Sequence, residues 1–199
     1  LLGSVLGVMR TTESRWMVRV GNAYVELFRN IPLIVQFFLW FFVLPGLIVG
    51  LLIHFMPEMV YSVMNPRQVI GMESMYDPAN EVIGRDRGAG SDILMFGFYI
   101  RNNITVSFQA FASGLVPYVG TLFYMVFNGL QIGAVASHLT NVGFGVTFWP
   151  FVCGHGSFEL TAIVLSSAAG LKLSHALVAP GRLTCRAALV KAGREAVQI

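Results

Sequence analysis

Three long apolar runs limit what this chain can become. Residues 31–55, 104–138 and 144–178 are almost free of charged side chains, and a bilayer crossing needs about 20 mostly apolar residues. All three reach that length. Composition points the same way, with 55% hydrophobic and 12% charged residues, where a soluble domain carries about 25% charged residues. Mean hydropathy is +0.69. Lipid, not water, is the solvent this chain is built for.

The second run is too long for one crossing, and Gly114, Pro117 and Gly120 interrupt it near the middle. It is expected to form two helices joined by a tight turn. The predicted fold class is therefore all-α: a multi-pass helical integral membrane protein with about four to five transmembrane helices plus interfacial amphipathic helices. Residues 1–9 are apolar but short, with no charged leader or small-residue cleavage site, so they are not read as a signal peptide. They are expected to be the tail of a span that begins earlier.

Charge sets an expected orientation. Lys172, Arg182, Arg186, Lys191 and Arg194 crowd the end of the chain against Glu195. In the middle, Glu58, Glu73, Asp77, Glu81, Asp86 and Asp92 outnumber Arg67, Arg85, Arg87 and Arg101. Because Lys and Arg near span ends stay on the cytoplasmic side, the tail over residues 180–199 is expected inside and the loop over residues 56–103 outside. Arg10, Arg15, Arg19 and Arg29 place the N-terminal segment inside as well. One crossing out to the loop, then three more to the tail, meets all of these placements. The predicted location is the inner membrane of a bacterial cell.

Residues 12–30 repeat Trp16, Val20, Ala23, Tyr24, Leu27 and Phe28 at helical spacing between charges, which predicts an amphipathic helix on the membrane surface. Pro32 ends it and suits the first turn of the next helix. A short helix is predicted over residues 66–75. The stretch "DPANEVIGRDRGAGSD" reads as a flexible connector. "ILMFGFYIRNN" reads as an amphipathic lead-in to the second run, with Arg101, Asn102 and Asn103 at the membrane interface. Trp149 fits the aromatic belt. Pro180-Gly181 ends the last run, and a basic amphipathic helix follows. Cys153 and Cys185 stand in unrelated contexts, which indicates neither a disulfide framework nor a metal site.

Two resemblances can be read from particular stretches. "YVELFRNIPLIVQ", within residues 1–45, closely resembles the permease subunit of polar amino-acid ABC importers of the glutamate/aspartate type. From about residue 46 onward, "MPEMVYSVM", "MFGFYIRNNI", "GTLFYMVFNGLQIGAVASHL", "HGSFELTAIVLSSAAGLKL" and "APGR" resemble the stage II sporulation protein M family, in the right order and over most of the chain. The chain therefore reads as a fusion or chimera, 1–45 permease-like and 46–199 sporulation-type, joined inside one apolar run near Pro45. The second resemblance implies a non-enzymatic membrane component of a larger complex, in spore formers with peptidoglycan-remodelling partners at the septum. It also implies one more hydrophobic segment after the basic helix. The first implies, as the alternative, a permease subunit that engages an ATP-binding subunit. "SSAAGLKLSHALVAP" lacks the acidic residue and the spacing of that family's coupling loop, so importer-type coupling is not expected.

Ionisable groups inside a span are costly and are functional candidates by default. His155 and Glu159, one helical turn apart at the expected entrance of the last span, can pair with each other. The bland reading makes them a buried polar contact. A proton or ion pathway is the sharper alternative, and a metal site would need further ligands that the spacing does not supply. Asn128 and Gln131 place amides inside a span, either bonding between helices while Gly129 and Gly133 allow close packing, or lining a polar cavity with Glu159. Arg101, Asn102, Asn103 and Arg182 are candidates for contact with lipid or partner. No nucleotide-binding loop or catalytic constellation is legible, so no enzyme, cofactor, metal or nucleic-acid partner is predicted. The expected partners are the bilayer and other membrane proteins.

Overall fold

The computed structural model describes residues 2–30, 32–79 and 89–196, excluding the side chains of residues 2, 27, 28, 30, 89–96, 98, 99 and 155. The connector over residues 80–88 lies outside the described residues. The described elements are all helical.

The chain divides into two compact units, residues 1–39 and 40–199. In the first, α1 (Leu2–Thr11) packs on α2 (Arg15–Asn30). Gly21 leaves room for this contact, since a Cβ there would stand 2.9 Å from the Arg10 side chain. Arg10 Nε donates to Asn22 Oδ1 at 2.8 Å across the pair. The amphipathic helix expected from the sequence is α2, and Trp16 on it is exposed. Pro32 stands one residue before α3 (Leu33–Phe38), where its carbonyl accepts from Val35 at 2.9 Å and its missing N–H costs nothing.

The second unit holds α4 (Leu44–Phe55), a 3-10 turn (Pro57–Met59), α5 (Val60–Val63), α6 (Pro66–Tyr76), α7 (Ala89–Ala112), α8 (Val119–Asn141), α9 (Gly145–Val178) and α10 (Cys185–Ala196). A π-helical stretch, Leu39–Val43, joins α3 to α4. Three described helices are long and apolar enough to cross a membrane: Leu33–Phe55, Val119–Asn141 and Gly156–Val178. Their outward surfaces stay greasy, with Leu47, Leu51, Phe123 and Phe158 all more than half exposed. α7, with 24 residues, has the length but carries Arg101, Asn102 and Asn103 in its middle. It runs unbroken through the sequence's "lead-in" and the start of the second apolar run.

The predicted break in that run is present. α7 ends in a 3-10 turn, Ser113–Leu115, and Tyr118 at φ 57 starts α8. The turn packs against α9 so closely that a Cβ on Gly114 would stand 2.1 Å from the Gly170 carbonyl oxygen. Ser174 Oγ donates to the Gly114 carbonyl at 2.7 Å.

α6 begins with a capping box: Gln68 N donates to Asn65 Oδ1 and Asn65 N to Gln68 Oε1, both at 3.0 Å, with Pro66 in the first turn. Val60, Met64 and Val69 from this α5–α6 segment bury against Val49, Ile53 and Ala134. The segment therefore covers the C-terminal ends of α4 and α8. At the far end of the chain, α10 buries Ala188 and Ala192 against Leu173 and Ala176 of α9, and Lys172 Nζ donates to Glu195 at 3.3 Å.

Candidate functional site

Small residues four apart bring α4 and α8 into close contact. A Cβ on Gly133 would stand 2.1 Å from the Gly46 carbonyl oxygen, one on Gly129 would meet the Phe42 carbonyl oxygen at 2.2 Å, and one on Gly46 would meet the Gly129 carbonyl oxygen at 2.8 Å. Farther along, Ser137 Oγ donates to the Gly50 carbonyl at 2.7 Å. At the end of both helices Asn141 Nδ2 donates to the Ile53 carbonyl at 3.0 Å, and His54 Nδ1 donates to Asn141 Oδ1 at 2.9 Å. The contacts Gly46–Gly133, Gly50–Ser137 and His54–Asn141 keep one register, so the two helices run in the same direction. Glycine and serine at such a contact let backbones approach, which is how helices gain packing energy where lipid removes the hydrophobic drive.

Beside this end lies a part-buried polar pair that the sequence reading did not single out. His138 of α8 is 8% exposed, and its Nε2 donates to Glu73 Oε1 of α6 at 2.7 Å. With Nε2 as donor, the buried Nδ1 of His138 is left without a partner. Thr147 of α9 donates to the Tyr76 carbonyl, and Tyr76, Leu139 and Phe148 form an apolar cluster next to the pair. The available signal was His138 itself, an ionisable residue in an apolar run. Its partner could not be read, because Glu73 is distant in sequence.

Glu159 stands about four turns inside α9, which starts at Gly145, and is the fourth residue of the candidate span Gly156–Val178. Asn103 Nδ2 of α7 donates to Glu159 Oε1. The side chain of His155 lies outside the described residues, and the proposed His155–Glu159 pairing with it. Of the other candidates, Asn128 Nδ2 donates to the Tyr124 carbonyl of its own helix at 2.7 Å, and Gln131 Nε2 reaches the Val63 carbonyl at the end of α5 at 3.3 Å. Arg101 and Asn102 are exposed on α7, and Arg182 is exposed in the turn between α9 and α10, where Gly181 has φ 64. The geometry does not gather these residues into one pocket: Glu159 and Asn103 meet, while Gln131 serves α5 and Arg182 stands apart.

Among the described residues, no three His, Cys, Asp or Glu side chains are grouped so as to hold a metal ion. What the arrangement offers is an all-helical chain with three candidate membrane spans, in which Ser137, Asn141, Gln131, Asn103 and Ser174 bond to a neighbouring segment. Residues 33–199 match the sequence model of the family described as Stage II sporulation protein M, and the chain belongs to that family. The match begins at residue 33 and so includes the part of the Leu33–Phe55 helix that precedes Pro45. The chain is also 54% identical over 48 residues to the "Glutamate/aspartate import permease protein GltJ" of Escherichia coli strain K12, and equally to the protein of the same name in Escherichia coli O6:H1 strain CFT073. Each match covers 24% of this chain and 20% of the permease, so the chain spans about a fifth of the length of the curated relatives it matches. No solved structure matches the chain.

Proposed function

We propose that this chain is a non-enzymatic, four-crossing subunit of the sporulation M type that serves as a membrane component of a larger complex. The observation that carries the reading is the destination of the intramembrane polar groups. Ser137, Asn141, Gln131, Asn103 and Ser174 each reach a neighbouring segment and hold the helices in register.

The crossing count follows from direction. α4 and α8 run the same way, so the chain must return across the membrane between them, and α7 is the described helix with the length to do so. The order is then out with α3–α4, in with α7, out with α8 and in with α9. The α5–α6 segment is external, and α10 with its Arg186, Lys191 and Arg194 is cytoplasmic, in keeping with the positive-inside rule. Purification of the full chain from its native membrane in mild detergent tests the reading. It should bring down stoichiometric membrane partners, whereas a lone monomer that retains its cellular role unaided would refute it.

The 48-residue identity supports a second reading, a fragment of an amino-acid permease. Recovery of an ATP-binding subunit together with ATP-driven glutamate uptake would establish that reading and overturn the first.

A further inference from the structure

We propose that the outward face of α10 binds an anionic phospholipid, whose phosphate is held among Arg186, Lys191 and Arg194. The inference rests on the reading of Gly156–Val178 as a crossing. α10 folds back along the last turns of that helix: Ala188 and Ala192 bury against Leu173 and Ala176, and Lys172 Nζ donates to Glu195 Oε2 at 3.3 Å. Phe111, at the end of α7, packs on the same cluster. Lys172 stands six residues before Val178, about 9 Å along the helix. α10 is thereby held beside the end of the span, at the level of the headgroups and the first methylenes, where amphipathic helices settle.

The helical period sets Leu183, Arg186, Ala187, Val190, Lys191 and Arg194 opposite the buried Ala188, Ala192 and Ala196, and all six are exposed. Along this face runs an open groove of about 460 Å³ whose lining includes Arg186, Val190, Lys191 and Arg194. Its charge is one-sided. Glu195 is the acid in the lining, and Lys172 already holds its carboxylate. Among the described residues no carboxylate pairs with Arg186, Lys191 or Arg194. Three uncompensated cations therefore stand where phospholipid phosphates lie, and such residues favour an anionic surface by about fivefold each. The apolar part of the face suits a lipid over a free anion. Val190 is 51% and Leu183 44% exposed, which gives acyl chains a surface while the Lys and Arg stems lie along it and raise their heads to the phosphates.

The test reconstitutes the full chain, with Cys153→Ser, Cys185→Ser and a fluorophore on Val190→Cys, in vesicles of phosphatidylcholine and phosphatidylglycerol. Quenching is compared when one lipid or the other carries bromine near the top of its acyl chains. Phosphatidylglycerol should be favoured at this site by at least about fivefold, the worth of one basic side chain. The preference should vanish when Arg186→Gln, Lys191→Gln and Arg194→Gln are combined, with quenching by brominated phosphatidylcholine retained as the sign that α10 is still seated. It should survive Arg182→Gln, which lies outside the groove, and Arg186→Lys with Arg194→Lys, which keeps the charge. Equal quenching by the two lipids, or a preference that persists in the triple variant, overturns the proposal. So does a preference abolished by inorganic phosphate but not by chloride at equal ionic strength, since that makes a free anion the occupant. The two levels separate cleanly. Quenching by neither lipid removes the placement of α9 as a crossing, while equal quenching by both removes only the lipid site.

Discussion

Replacing Gly133 by alanine should loosen the α4–α8 contact more than any other one-methyl change along it. The new Cβ would sit 2.1 Å from the Gly46 carbonyl oxygen, where ordinary contact begins at 3.4 Å. The clashing atom is backbone on a helix, so no side chain can swing aside, and the helices must part by about 1 Å. A gap of that size forfeits about a quarter to a half of the dispersion energy of the facing atoms, and overpacking of this kind costs about 1–3 kcal/mol. It would also lengthen the Ser137–Gly50 hydrogen bond, now 2.7 Å. The control is Gly154→Ala on α9, where the added Cβ meets nothing within 4 Å. Both changes gain the same helix propensity, about 0.5–1 kcal/mol, so the difference between them isolates packing. Unfolding of the full chain by SDS titration, followed by circular dichroism, measures both variants. If Gly133→Ala unfolds within about 0.5 kcal/mol of Gly154→Ala, the close approach argued here is wrong.

Three further substitutions probe the polar contacts. Ser137→Ala removes one interhelical bond and should cost about 0.6 kcal/mol in the same titration, while Asn141→Ala, which loses the Ile53 carbonyl and His54 together, should cost more. Glu73→Leu leaves the His138 donor buried beside an apolar side chain and should destabilise by about 1–3 kcal/mol, with Glu73→Gln milder because its amide oxygen still accepts. A leucine variant as stable as the parent would show that the pair is not held. Glu159→Gln should lower thermal stability in detergent or weaken assembly while leaving any flux near normal; a variant of unchanged stability with abolished activity would refute the structural role of Glu159.

The helices were legible because each leaves a local mark. Asn65-Pro66 with Gln68 announces the start of α6, Gly114 and Pro117 announce the break before α8, and the apolar repeat from Trp16 outlines α2. Gly129 and Gly133 were legible as a packing face, but the partner face was not. Gly46 and Gly50 read only as small residues in an apolar run, and nothing in them sets a register against residues 87 positions away. The same limit hid Glu73–His138 and the bond from Asn103 of α7 to Glu159 of α9. The π-helical stretch Leu39–Val43 has no signature in an apolar sequence, since composition is blind to which carbonyl an N–H chooses.

The most direct test of the four-crossing account is the sidedness of two thiols. Cys185, exposed at the start of α10, serves as the inner probe once Cys153 is replaced by serine, and Ser62→Cys at an exposed position of α5 supplies the outer one. A membrane-impermeant maleimide applied to intact spheroplasts should label position 62 at once and Cys185 only after the membrane is opened. Labelling of both from the same side would contradict the parallel α4–α8 crossing, and with it the proposed arrangement in the membrane.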